Sequence, residues 1–139
     1  MSDRPRIVVD TNALISRLLL PASVAGRAVR RAIEEGQLLV SEAGMLELAE
    51  VLSRRKFDRY VSREERKQFL HLLGGIVELV PIVMTVRACR DPKDDKFLEV
   101  AVNGEANLVI TGDRGLLALH PFRGITIMSP GHYLESACL

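Results

Sequence analysis

The chain has 139 residues, enough for one domain that buries roughly two thirds of its unfolded surface without a staple. Hydrophobic residues make up 47%, charged residues 27% and aromatics 4%, with no Trp, which excludes a disordered or low-complexity chain and describes a globular protein with an aliphatic core. A formal charge of +1 gives no overall pull toward nucleic acid or membrane, so any basic surface has to be local.

Cys89 and Cys138 stand far apart, without a CxxC or a nearby Cys/His partner. Neither a zinc site nor a disulfide framework is expected, and a reduced, cytoplasmic setting fits best. Asp10 interrupts the apolar stretch after Arg4 and Arg6 and no small-residue cleavage site follows, unlike a secretory leader. No run approaches the length of a membrane span.

Ile7-Val8-Val9 is short, β-branched and free of polar alternation, which predicts a strand buried on both faces in a helix-covered parallel sheet. It stops abruptly at Asp10-Thr11-Asn12. Asp10 then falls at the strand's C-terminal end, where open α/β sheets bind ligands. Equally, Asp10 or Asn12 caps the helix predicted over 13–20, and both readings stay open here.

Pro21 closes that helix, and residues 23–35 carry Ala25, Ala28, Val29, Ala32 and Ile33 at helical spacing before Gly36. Residues 37–40 form a second short strand, and Ser41 is a natural N-cap for a helix over 42–54. Met45, Leu48, Ala49 and Leu52 make one stripe of it, with Glu47 and Glu50 on the other side. A basic link with Phe57 and Tyr60 leads to the capping box Ser62-Arg63-Glu64-Glu65, which opens a helix to about residue 73, where Gly74-Gly75 is expected to break it.

Residues 76–83 are β-rich, and Pro81 marks an edge strand. Arg90-Asp91-Pro92-Lys93-Asp94-Asp95 is an acidic turn into a helix over 93–103, with Phe97, Leu98, Val100 and Ala101 apolar. A buried strand over 107–110 then ends in Thr111-Gly112-Asp113, repeating the pattern of the opening. A short helix with Leu116, Leu117 and Leu119, a strand over 125–128 and a helix over 131–136 complete the chain. This alternation predicts an α/β fold, a parallel sheet with helices on both sides.

Right-handed crossovers bring Asp10, Asp94 and Asp113 to one sheet edge. Converging carboxylates repel, and the repulsion is relieved by protonation or by a cation. Oxygen donors with few imidazoles or thiols favour Mg²⁺ or Mn²⁺ over zinc, and such ions clamp a phosphodiester and activate water. GxxxxGK[ST] and GxGxxG are absent, against nucleotide binding through a Gly-rich loop. His71, His120 and His132 read as surface or helix-end residues.

Four pieces in this order resemble the PIN domain family, in particular its toxin branch in toxin-antitoxin systems. They are Val8-Val9-Asp10-Thr11-Asn12; Met45-Leu46-Glu47 with Val51-Leu52-Ser53-Arg54-Arg55-Lys56-Phe57; Asp91-Pro92-Lys93-Asp94-Asp95-Lys96-Phe97-Leu98-Glu99; and Val109-Ile110-Thr111-Gly112-Asp113 with Leu116-Leu117. The resemblance runs on to Ile127-Met128-Ser129-Pro130. It implies a single PIN-like domain over 1–139, a three-layer α/β/α sandwich around a mostly parallel sheet of four to five strands.

The resemblance further implies a Mg²⁺- or Mn²⁺-dependent ribonuclease whose acidic cluster is Asp10, Glu47, Asp94 and Asp113, serving as catalytic and metal-holding residues. Glu47 owes its place to the resemblance, since periodicity leaves it on a solvated helix face. Asp94 is preferred over Asp95 because Phe97 and Ala101 then face the core; Asp95 becomes a supporting or capping group, and Asp91 a turn residue. Asn12 and Thr111 are supporting groups beside the carboxylates or simple caps.

The basic run over 54–67 either contacts RNA through its charges and the Phe57 and Tyr60 rings or, the preferred reading, solvates its charges while the rings pack. Arg27, Arg30 and Arg31 line an antitoxin or dimer surface or form the wet face of a helix. The expected activity is endonucleolytic hydrolysis of single-stranded RNA, with a small antitoxin and a second copy of the chain as partners. The rivals are a non-catalytic or regulatory RNA- or protein-binding module and a nuclease on another nucleic-acid substrate.

Overall fold

A computed structural model describes residues 4–136, and Cys138 lies outside them. The sheet holds β1 (Arg6–Val9), β2 (Gln37–Val40), β3 (Glu78–Leu79), β4 (Leu108–Ile110) and β5 (Thr126–Met128) in the order β3-β2-β1-β4-β5. Every neighbouring pair runs parallel. The helices are α1 (Thr11–Leu19), α2 (Val24–Glu35), α3 (Glu42–Leu52), α4 (Arg63–Ile76), α5 (Asp95–Asn103), α6 (Arg114–Leu117) and α7 (Pro130–Ser136).

Successive side chains of a strand leave on opposite faces, and that alternation splits the core in two. Ile7 and Val9 of β1, Leu38 of β2 and Ile110 of β4 pack against α1, α2, α3, α4 and α7 through Leu14, Val29, Leu48, Leu73 and Tyr133. Val8, Leu39, Val109 and Ile127 point the other way, onto Leu98 and Ala101 of α5 and Leu116 of α6. The result is the expected three-layer α/β/α sandwich. Ile7, Val8 and Val9 are all buried, because β1 is central and covered on both faces.

The register fixes what meets at the sheet's C-terminal edge. Val9 stands beside Ile110, so Asp10 and Thr111 leave their strands side by side, and the Asp10 N–H donates to the Ile110 carbonyl at 3.2 Å.

Three local features differ from the expectations. Gly74-Gly75 does not break α4, which runs through both and closes with the Val77 N–H on the Leu73 carbonyl at 3.1 Å. Each helical glycine costs about 1 kcal/mol relative to alanine. Here the complete capping box at Ser62 and Glu65 and the burial of Leu73 outweigh that cost.

The strand expected over 76–83 is reduced to Glu78–Leu79 at the sheet edge. Val80 still donates to Val40 at 2.8 Å, but Pro81 has no N–H to continue the ladder. The chain is instead carried to α5, where Asn103 Oδ1 accepts from the Val83 and Met84 N–H groups at 2.9 and 2.8 Å. The helix expected over 93–103 starts as a 3-10 turn, Pro92–Asp94, before α5 proper.

The basic link is split in its behaviour. Phe57 is buried, whereas Tyr60 is 73% exposed, so the packing reading holds for the first ring and not for the second. Arg66 is buried rather than solvated. Its guanidinium donates to the carbonyls of Leu52 at 2.8 Å, Arg54 at 3.3 Å and Ser62 at 3.3 Å and to the Asp58 carboxylate at 2.6 Å. It thereby ties the end of α3 and the turn after it to the start of α4. Arg30 pairs along α2 with Glu34, on the wet face of the helix, whereas half-buried Arg31 pairs with Glu35 and donates to the Leu134 carbonyl of α7 at 3.1 Å.

Arg66→Met should destabilise the chain by about 1–3 kcal/mol in urea denaturation, since the buried carbonyls lose their donor. Arg30→Met, which removes an exposed pair, should stay within about 0.5 kcal/mol.

Candidate active site

Asp10 follows β1 and caps α1: its Oδ1 accepts from the Ala13 N–H at 2.8 Å, while Oδ2 accepts from the Thr111 hydroxyl at 2.6 Å and the Gly112 N–H at 3.3 Å. Capping and site placement, left open by the sequence, thus coexist in one carboxylate. Thr111 is fully buried, and its hydroxyl oxygen in turn accepts from the Asp113 N–H at 3.0 Å. The Asp113 carboxylate caps α6 through the Leu116 N–H at 2.9 Å.

Asp10, Glu47, Asp94 and Asp113 line one cleft of about 510 Å³, together with Asp91 and Asn12. Asp94 lies at the end of the 3-10 turn that introduces α5. Burial, then the neighbouring charges of Asp113 and Asp91, push its carboxyl above the usual aspartate range. Asp91 accepts from the Lys93 N–H at 3.0 Å, the turn role expected of it.

Asp95 turns away from the cleft. Its Oδ1 accepts from the Ala88 and Cys89 N–H groups at 3.0 and 2.8 Å, and these bonds hold its carboxyl below the usual range. Burial, reinforced by Asp95, pushes the Cys89 thiol up to about 12, so this cysteine is no nucleophile at neutral pH. His120 accepts the Ile127 N–H on Nδ1 at 2.9 Å, a structural role.

Four basic residues line this cleft: Arg54 and Lys56, from the basic run for which RNA contact was one of two readings, and Lys93 and Lys96, to which no role was assigned from the sequence. Lys96, in the first turn of α5, forms an ion pair with Glu47 Oε2, and the Thr11 hydroxyl donates to Glu47 Oε1 at 3.1 Å. The available signal was spacing: Lys93 and Lys96 flank Asp94 on a helix start, where a basic group is unfavourable to the helix dipole without an acidic partner.

The donor chemistry fits a hard divalent cation, being oxygen throughout. The neighbouring charges of Asp113 and Asp91, which raise the Asp94 carboxyl, are the negative charge that such an ion would neutralise. As the side chains stand, no three His, Cys, Asp or Glu groups among the described residues are gathered around one point.

The family model for the PIN domain matches residues 6–115. The chain belongs to the PIN domain family. PIN domains are typically nucleases and generally use divalent metal ions. The matched span contains all five acidic residues of the cleft, Asp10, Glu47, Asp91, Asp94 and Asp113.

An uncharacterized protein of Methanocaldococcus jannaschii, MJ1680, is 28% identical over 116 residues, covering 82% of this chain and 74% of that protein. VapBC2 from Rickettsia felis, solved bound to a DNA fragment from their promoter, superposes with a TM-score of 0.61 at 9% identity, covering 89% of this PIN chain and 98% of that one. PAE2754 from Pyrobaculum aerophilum superposes with a TM-score of 0.62 at 17% identity over 97% of this chain and 91% of that one. At these identities the two structures speak to the fold.

Thr111→Val should cost about 1–3 kcal/mol of stability in urea denaturation, because Asp10 loses a donor and the Asp113 N–H an acceptor; Thr111→Ser should recover most of it. Asp94, followed by carboxyl NMR without divalent ions, should titrate above ordinary aspartate, and in Asp113→Asn its midpoint should fall only part of the way back because burial persists. The sign for stability follows: a carboxyl raised on folding contributes fully below the unfolded value, and the contribution disappears as pH rises through the raised one.

Proposed function

We propose that this PIN domain, acting over 1–139 as one unit, is a cytoplasmic endoribonuclease that hydrolyses phosphodiester bonds of single-stranded RNA. The observation that carries the reading is the meeting of Asp10, Glu47, Asp94 and Asp113 in one cleft rimmed by basic side chains. The four carboxylates are the groups that would hold Mg²⁺ or Mn²⁺, with Asp94 and Asp113 the pair in most need of a counter-charge. When bound, the ion supplies Lewis acidity toward the scissile phosphate and activation of water.

The chain's own residues do the positioning. Thr111 and the Ala13 N–H fix the Asp10 carboxylate, and the Leu116 N–H fixes Asp113. Arg54, Lys56 and Lys93, on the walls of the cleft, provide the charge that draws in a polyanion. Exposed Tyr60, beyond the basic turn, is available to stack on a base. Thr111 supports the Asp10 carboxylate and Asn12 lines the cleft with it, while Asp95 ties residues 88 and 89 to α5 outside the cleft lining.

The fold likeness to VapBC2 supports a toxin role with a small antitoxin as partner, and we propose a homodimer as the assembly. The engagement of Glu47 by Lys96 favours, as a second reading, a module that binds RNA without turning it over. One assay separates them. With Mn²⁺ the purified chain should cleave single-stranded RNA; Asp10→Asn and Asp94→Asn should each lose more than the roughly 10–100-fold typical of disturbing an outer-shell group, and chelation should abolish cleavage. Activity that survives these changes removes the mechanism, and RNA retained without turnover favours the binding module.

A further inference from the structure

Among the described residues, Lys96 is the basic side chain of the cleft that is ion-paired with a cleft carboxylate. The pair joins α5 to α3 and is half-buried, with side-chain exposures of 26% for Lys96 and 34% for Glu47. The ammonium also stands 5.1 Å from the centre of the Phe97 ring, a favourable cation–π placement. Glu47 has both oxygens in use, one by Lys96 and one by Thr11. Each oxygen keeps a further lone pair, so the obstacle to a divalent ion is charge: the paired ammonium offsets the anion that the ion would use and competes with it.

The competitor is tethered. Lys96 has a flexible four-carbon stem, and on leaving Glu47 it needs another anion nearby. A phosphodiester entering the cleft is such an anion. We propose that Lys96 is a built-in counter-ion that holds Glu47 away from the metal until a phosphate of the nucleic acid takes its ammonium, so that divalent-ion binding and substrate binding reinforce each other. Linkage makes the effect reciprocal: whatever the oligonucleotide adds to metal affinity, the metal adds to oligonucleotide affinity. This inference rests on the metal-dependent reading of the cleft.

The test measures Mn²⁺ affinity of the full chain by electron paramagnetic resonance, with and without a single-stranded phosphorothioate oligonucleotide whose integrity is checked after each titration. Without oligonucleotide, Lys96→Met should bind Mn²⁺ about tenfold more tightly than the wild type, a coupling of ordinary size. The wild type should gain a similar factor when the oligonucleotide is added, and Lys96→Met should gain little. Lys96→Arg, which keeps the charge, should behave like the wild type.

In a Glu47→Gln background, Lys96→Met should tighten Mn²⁺ clearly less than in the wild type, because the shared partner is gone and only the charge that Lys96 also exerts on Asp94 is removed. Wild-type binding of Mn²⁺ with no tightening in Lys96→Met, or the full tightening persisting in Glu47→Gln, overturns the coupling and leaves the metal-dependent nuclease standing. Failure of the wild type to bind Mn²⁺ at all overturns both.

Discussion

The Thr111 hydroxyl, sealed between two strands, is the bond on which the cleft depends. It donates to Asp10 and accepts from the Asp113 backbone, so one buried group fixes the carboxylate that ends β1 and the turn that carries the carboxylate after β4. Such a bond forms because the parallel register places Val9 beside Ile110 and so sets residues 10 and 111 together. Aliphatic packing on both faces of β1 and β4 holds that register, since a slip by one residue would turn Ile7 and Val9 out of their cluster. Hydrophobic burial far from the chemistry therefore determines how two acids face each other.

A cleft of this composition is unfavourable without a counter-charge. Asp94 shows it most directly, its carboxyl held above the ordinary range by burial and by Asp113. The chain relieves part of the repulsion with bases on the same walls, one of them, Lys96, bonded to Glu47. Acids and bases set this close give the cleft little net charge while leaving local fields of both signs, which suits the proposed binding of a cation and a polyanion. The near-neutral formal charge of +1 for the whole chain conceals that local separation.

Much of this was legible in the residues. The short apolar runs at 7–9 and 107–110 announced buried parallel strands, and Asp10 and Asp113, which follow them, were expected at the sheet's C-terminal edge, where both lie. The PIN domain resemblance, now supported by the match over residues 6–115, placed Glu47, which periodicity put on a solvated face. What escaped was set by long-range partners. Gly74-Gly75 looked like a helix end because propensity is local, while α4 is held by its capping box and by the core beneath Leu73. Arg66 looked solvated because nothing in the sequence signals carbonyls of α3 and the following turn waiting for a donor. Lys96 and Glu47 are far apart in the chain, and only the layering of α3 and α5 at the sheet edge makes them a pair.

The claim that holds the account together is that Asp10, Asp94 and Asp113 serve a single divalent ion at the ends of β1 and β4. Anomalous diffraction from a crystal soaked in Mn²⁺ tests it most directly. The account predicts an anomalous peak in the cleft, coordinated by oxygens of those three aspartates. A cleft without a peak at saturating Mn²⁺, or a peak bound elsewhere on the molecule alone, would contradict it.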